Sequence, residues 1–179
     1  GESLTDEEIE RAVRLGTQTG ELVPILCGSA QSTFGVALLN DHIVQCMPSP
    51  ANRTIAGTNA QGEAITISAA DSDLAALVYK TMADPYVGKL TLFRVFSGTI
   101  RSDSSCFNVR TGRDERIGQL FLIKGKEQIP VSKIGPGDLG AVAKLQETTT
   151  NDTLTTKDSK IAIQPISFPK PNMTLAIQP

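Results

Sequence analysis

Tryptophan is absent from this sequence and aromatic residues make up only 4% of it, so any core must be built from Val, Ile, Leu and Ala. There is one histidine, His42, which sits beside Ile43, off the apolar stripe of a predicted helix, with no Cys or second His at ligand spacing. Without a usable histidine no Ser-His or Cys-His nucleophilic pair can be assembled. Cys27, Cys46 and Cys106 are odd in number and 19 and 60 residues apart, which matches neither a disulfide framework nor a zinc pattern. Reduced thiols of a cytosolic protein are the expectation. No apolar run reaches the roughly 18 residues that a membrane-spanning helix needs. The first residues are acidic and helical, unlike a secretory leader. The chain opens on Gly1 without a methionine, as expected of a segment taken from something longer.

Other absences narrow the chemistry. There is no Walker lysine loop. Asp71 with Asp73 and Asp114 with Glu115 fall in predicted turns or linker, which gives no reason to pair them as acid and base. The sequence GPGDLG (135–140) fits the dinucleotide fingerprint by letter, but AVAKL follows it, a strand pattern where that motif requires a helix. A tight turn between strands is the reading. Taken alone, the chain shows no catalytic constellation.

What is present is material for one good-sized domain, or one domain plus pieces of another: 179 residues, 40% of them hydrophobic. Charge is unevenly divided. Residues 1–50 hold seven acids against two arginines, whereas residues 88–145 hold ten basic residues against five acids. A basic block on an acidic chain marks either a polyanion-facing surface or a set of solvated turns.

Along the chain, Thr5-Asp6-Glu7-Glu8 forms a capping box, followed by Ile9, Ala12, Val13 and Leu15 at helical spacing up to Gly16 or Gly20. LVPILC (22–27) is predicted as a short buried strand near an edge, because of Pro24. Gly28-Ser29-Ala30 turns out of it. Val36, Leu39, Ile43 and Met47 mark one face of a second helix, which Pro48 and Pro50 stop. Residues 51–73 have the composition of a linker, with AITIS (64–68) a possible short strand.

From Leu74 onward the hydrophobic period changes from 3.6 to 2. Candidate strands are 74–82, 89–97, 105–110, 116–123, 128–133, 140–145 and 160–166. Short strands at this spacing indicate an antiparallel sandwich or barrel, and closure into a barrel removes exposed edges. Residues 169–179 carry Met173, Leu175 and Ile177 in alternation, one further predicted strand without a partner in the chain. In GKLTLFRVFSGTI (88–100), Arg94 interrupts an apolar strand; it needs a partner, an exposed head group, or a surface that wants a cation.

The blocks LVPILCGSA, GVALLNDHIVQCMPSP, KLTLFRVFSGTI, NVRTGRDERIGQL, GDLGAV, TTTNDTL and ISFPKPNMTLAIQP, in this order, resemble bacterial elongation factor G over nearly the whole chain. The ribosome-protecting tetracycline-resistance proteins and release factor three share this plan. The resemblance implies a mainly β fold: an antiparallel β-barrel of the translation factors, preceded by a small α/β piece of a P-loop GTPase domain. It implies the end of the GTPase domain at 1–50, a linker at 51–73, the second-domain barrel at 74–166, and a linker with the first strand of a third domain at 167–179. Gly28, Ser29 and Ala30 then resemble the last guanine-specificity element. GTP and Mg²⁺ would bind the complete protein and are not expected on this segment alone. The implied activity is GTP-dependent movement of tRNA and mRNA on the ribosome, in the cytoplasm, with this segment a monomeric, non-catalytic, ribosome-facing barrel.

Arg101, Arg110, Arg113 and Arg116 are the candidates to face small-subunit ribosomal RNA. Arg94 matches the family's strand arginine; RNA contact and an internal carboxylate are its two open uses, with the internal pair favoured. Phe96 stands where many members have tyrosine, and Asn151 where they have glycine in the turn before Asp152. Asparagine tolerates positive φ, so that turn is expected to survive.

Overall fold

Thr5 and Glu8 close the front of the first helix, α1 (Asp6–Thr19): the Glu8 carboxylate accepts the Thr5 amide at 2.8 Å and the Thr5 hydroxyl accepts the Glu8 amide at 3.3 Å. The Thr5 amide, then the Thr5 hydroxyl, hold the Glu8 carboxyl below its ordinary value. Gly20 ends the helix in the left-handed region, with φ of 79°. A computed structural model of the chain describes residues 3–84 and 88–176, and the chain divides into two units, Gly1–Asn52 and Arg53–Pro179. The second helix of the first unit is α2 (Val36–Cys46), capped at Met47 just ahead of the stopping prolines. Among the described residues no helix is long and apolar enough to cross a membrane.

The predicted strand at 22–27 does not form. Val23 and Ile25 are 81% and 90% exposed, and the described part of this unit contains no strand for the run to pair with. Apolar composition makes a residue fit for burial, but a strand exists only where a neighbour takes its backbone groups. The isolated bridge in this unit joins Ser29 to Phe34, past the run.

The second unit is mainly antiparallel β. Its strands are β1 (Thr54–Thr58), β2 (Ala64–Ser68), β3 (Ala75–Asp84), β4 (Gly88–Ser97), β5 (Ile100–Arg101), β6 (Ser104–Asn108), β7 (Arg113–Ile117), β8 (Leu120–Lys124), β9 (Glu127–Val131), β10 (Lys133–Ile134), β11 (Leu139–Ala143), β12 (Thr153–Thr155) and β13 (Ala162–Ile163). Eight of them pair in the order β7-β6-β12-β3-β4-β11-β8-β9, while β10 pairs with β5 and β13-β1-β2 make a separate small sheet. Because β10 continues from β9 and β5 leads into β6, the β5–β10 pair links the two ends of the long sheet. The result is barrel-like.

Strand alternation decides what lies inside. On β3, Ala76 and Val78 join Phe93, Val95, Ile117, Leu120, Val142 and Leu154 in the barrel core. Ala75 and Leu77, on the opposite face, pack with Ile67 and Ile163 of the small sheet and with Ile161 just ahead of β13. A strand covered on both sides explains why its front half is a continuous apolar run. Cys106 lies in the main core, where burial pushes its thiol up to about 12.

Residues 51–73 are therefore not a linker in structure: β1 and β2 pair over five positions, and β2 coincides with the possible short strand at 64–68. Composition hides the strand at β1. Gly57, the last but one of its residues, has no room for a side chain, since a Cβ there would stand 2.7 Å from the Ala162 carbonyl and 2.6 Å from the Ile67 side chain. The expected strand at 116–123 is two, broken at Gly118 and Gln119, and the one at 160–166 shrinks to Ala162–Ile163. Residues 164–176 form no strand; Met173 and Leu175 are 72% and 74% exposed for want of a paired neighbour. Ile177 lies outside the described residues.

Asn151 does adopt positive φ, 76°, and its side-chain amide adds something glycine lacks. It donates to the Ile166 carbonyl at 2.9 Å and accepts the Ile166 amide at 2.8 Å, tying the segment beyond β13 to the barrel. The GPGDLG turn is a link between β10 and β11, as expected, with the Gly137 amide donating to the Val95 carbonyl at 2.8 Å.

Gly98, where β4 turns toward β5, has φ of 66°, and a Cβ on it would stand 2.7 Å from the Leu74 Cα. Backbone cannot step aside as a flexible side chain can. Gly98→Ala is expected to lower stability by about 1–3 kcal/mol, measured as a lower urea midpoint with an unchanged denaturant slope.

Candidate functional site

The loop between β11 and β12 is held by two carboxylates from different places. Glu115, buried on β7, accepts the amides of Gln146, Glu147 and Thr148 at 3.2, 2.9 and 2.8 Å, and the Thr148 hydroxyl at 2.8 Å. Asp152, at the loop's far end, accepts the Thr149 amide at 2.8 Å and the side chain of buried Asn108 at 2.9 Å. Asn108 also donates to the Thr148 hydroxyl at 3.0 Å, which joins the two carboxylate centres. Burial raises the Glu115 carboxyl, but the Thr148 hydroxyl and three backbone amides outweigh it, leaving it below its ordinary value. Burial likewise raises Asp152, and Arg110, Asn108 and the Thr149 amide together bring it below the usual range.

This network divides the candidate arginines. Arg110 grips Asp152 with two nitrogens, Nε at 2.5 Å and one terminal nitrogen at 2.9 Å, and that terminal nitrogen also donates to the Glu147 carbonyl at 2.9 Å. The hydrogen bond to Asp152, then its charge, raise the Arg110 guanidinium above its ordinary value. Arg113 pairs with the Glu147 carboxylate. Arg110 and Arg113 thus serve to position the loop. Arg101 and Arg116 are exposed and form no ion pair among the described residues. Arg113, Asp114, Glu115, Arg116, Gln146 and Glu147 line an open cleft of about 270 Å³.

Arg94 has no carboxylate partner among the described residues, contrary to the favoured expectation of an internal pair. It stands on the outer face of β4, exposed, with Leu77 and Leu139 as its cross-strand partners, and its guanidinium lies 5.4 Å from the Phe96 ring centre. An exposed head group stacked on an aromatic face satisfies a strand arginine without a carboxylate.

In the first unit, Gly28-Ser29-Ala30 forms a turn closed on Phe34, with the Ser29 amide donating to the Phe34 carbonyl at 2.9 Å. A Cβ on Gly28 would stand 2.8 Å from that carbonyl, so the turn needs glycine there. The engaged Ser29 amide is closed to a ligand; the Ser29 hydroxyl and the Ala30 amide belong to exposed residues. Among the described residues, no three or more His, Cys, Asp or Glu side chains are grouped as metal ligands.

The family pattern for elongation factor G domain 2 matches residues 73–157. The match runs from just before β3 to just after β12, a likeness of this stretch to the second domain of elongation factor G. A crystal structure of a protein from Thermus thermophilus is similar over 96% of the chain, with a TM-score of 0.69 and 23% identity, a likeness of fold. The chain spans 24% of that protein. All four candidate arginines of the barrel fall within the domain 2 match, and the Gly28-Ser29-Ala30 turn falls outside it. Sequence reasoning missed Glu147 and Asp152 as partners of Arg113 and Arg110. The signal available was that NVRTGRDE and ETTTND are both charged, polar blocks bordering strands.

Both carboxyls titrate lower in the folded chain than unfolded. Their stabilising contribution is therefore present above the unfolded values of about 4 and is lost as pH falls through the folded ones. Glu115→Gln and Asp152→Asn are each expected to lower stability at neutral pH by about 1–3 kcal/mol. Each should also flatten the loss of stability below about pH 4, read from urea midpoints across an acid series.

Proposed function

We propose that this chain is the ribosome-facing segment of an elongation factor G-like GTPase whose complete form couples GTP hydrolysis to movement of tRNA and mRNA. The observation that carries the reading is the domain 2 match together with exposed arginines, Arg101 and Arg116, that lack carboxylate partners among the described residues. Phosphate contacts supply much of the affinity for RNA, so cations left unpaired on a barrel of this family suit small-subunit ribosomal RNA. Arg110 and Arg113 act at one remove, by shaping the loop beside Arg116.

GTP, when bound to the complete protein, supplies the phosphoryl group that is hydrolysed, with Mg²⁺ as its counter-ion. The residues of this chain that would meet it are Ser29, through its hydroxyl, and Ala30, through its amide, at the guanine edge. Gly28 keeps that turn tight enough to present them. The chain itself acts as a monomer in the cytoplasm and hydrolyses nothing; the translocating activity belongs to the whole.

Cosedimentation with 30S subunits tests the reading. Binding is expected at low salt, with release as salt rises. Charge reversal at Arg101 and Arg116 should weaken it severalfold. Binding that ignores both salt and the reversals would overturn the assignment, as would GTP turnover by the chain alone.

A further inference from the structure

Barrel closure places two like charges side by side. In the β5–β10 pair, Ile100 stands opposite Ile134 and Arg101 opposite Lys133. Ile100 and Ile134 are each 1% exposed in the core, so the register cannot slip without pulling both from it. Residues directly opposite on an antiparallel pair share a face, and Arg101 and Lys133 accordingly stand together on the outer one, both exposed. The next residues fix the stems further: the Ser102 amide donates to the Ser132 carbonyl at 2.9 Å and the Ser102 hydroxyl to the Val131 carbonyl at 2.8 Å. Asp103, the nearest acid in sequence, sits in a turn with φ of 55° and enters no ion pair among the described residues.

Like charges directly opposite each other destabilise a strand pair. Natural edges use single lysines to discourage aggregation, and one cation would do that here. Two locked together, with no carboxylate supplied, suit an anion from outside. We propose that Arg101 and Lys133 form a two-pronged grip for the phosphodiester backbone of RNA, sequence-independent and set by barrel closure. The inference rests on the ribosome-facing reading and adds Lys133, which charge counting along the sequence does not single out. Arginine supplies a planar fork and lysine a point charge, a pairing that holds phosphate oxygens without reading bases.

The test uses the whole chain with Arg101→Gln, Lys133→Gln and the double substitution, titrated with a mixed-sequence RNA hairpin over a salt series and cosedimented with 30S subunits. Each single change is expected to reduce the slope of log affinity against log salt by about one, and the double change by about two. Thermal unfolding should be unchanged or shifted upward, because like-charge repulsion is relieved. An unaltered slope in a folded double variant overturns the grip. If Arg116→Gln still weakens 30S binding in that case, the ribosome-facing reading stands without it. A wild-type chain that binds neither RNA nor 30S overturns both. Displacement of the pair's contacts by polyglutamate but not by RNA would assign it to an acidic protein and overturn the proposal as well.

Discussion

A carboxylate taken out of water stays charged only if donors surround it, and in this barrel Glu115 and Asp152 meet that condition through one shared loop. The dependence runs both ways. The loop between β11 and β12 has no regular structure of its own, and its backbone amides at 146–149 find acceptors because the two acids are there. Asn108 and Thr148 join the two centres, so the arrangement behaves as one polar unit. Its geometry in turn aims β12, whose Leu154 enters the core, and carries the chain through Asn151 to Ile166.

That unit also explains why a basic stretch is not the same as a basic surface. Arg110 and Arg113 lie in the densest run of positive charge, yet their head groups are turned to Asp152 and Glu147. The exposed cations without a carboxylate partner among the described residues include Arg101 on β5, Arg116 on β7 and Lys133 on β10. Net charge along a sequence counts residues; a binding surface depends on which of them the fold leaves without partners.

The barrel was legible from the sequence because strand alternation over 74–97 and the turn residues between later strands are local signals, each readable within a few positions. The Asn151 turn and the GPGDLG link followed from backbone preferences of single residues. What escaped was non-local. Arg110 meets an acid 42 positions away, and no spacing rule connects them. β1 carries a glycine where strands seldom do, for the sake of a close approach by Ala162 that only the folded sheet reveals. The run at 22–27 failed in the opposite sense, with good strand composition and no strand beside it. The Gly28-Ser29-Ala30 turn was read from its small residues, and its local geometry shows why the glycine is required there.

Cys106 gives the barrel a built-in reporter of its own breathing. A thiol held protonated in the core reacts with an alkylating reagent only when β6 parts from its neighbours and water reaches the sulfur. Cys27, exposed in the other unit, is open to the same reagent from the start. With Cys46, buried in that other unit, replaced by serine, one sample contains a fast internal standard and a slow clock, and the interval between them measures how often the sheet opens.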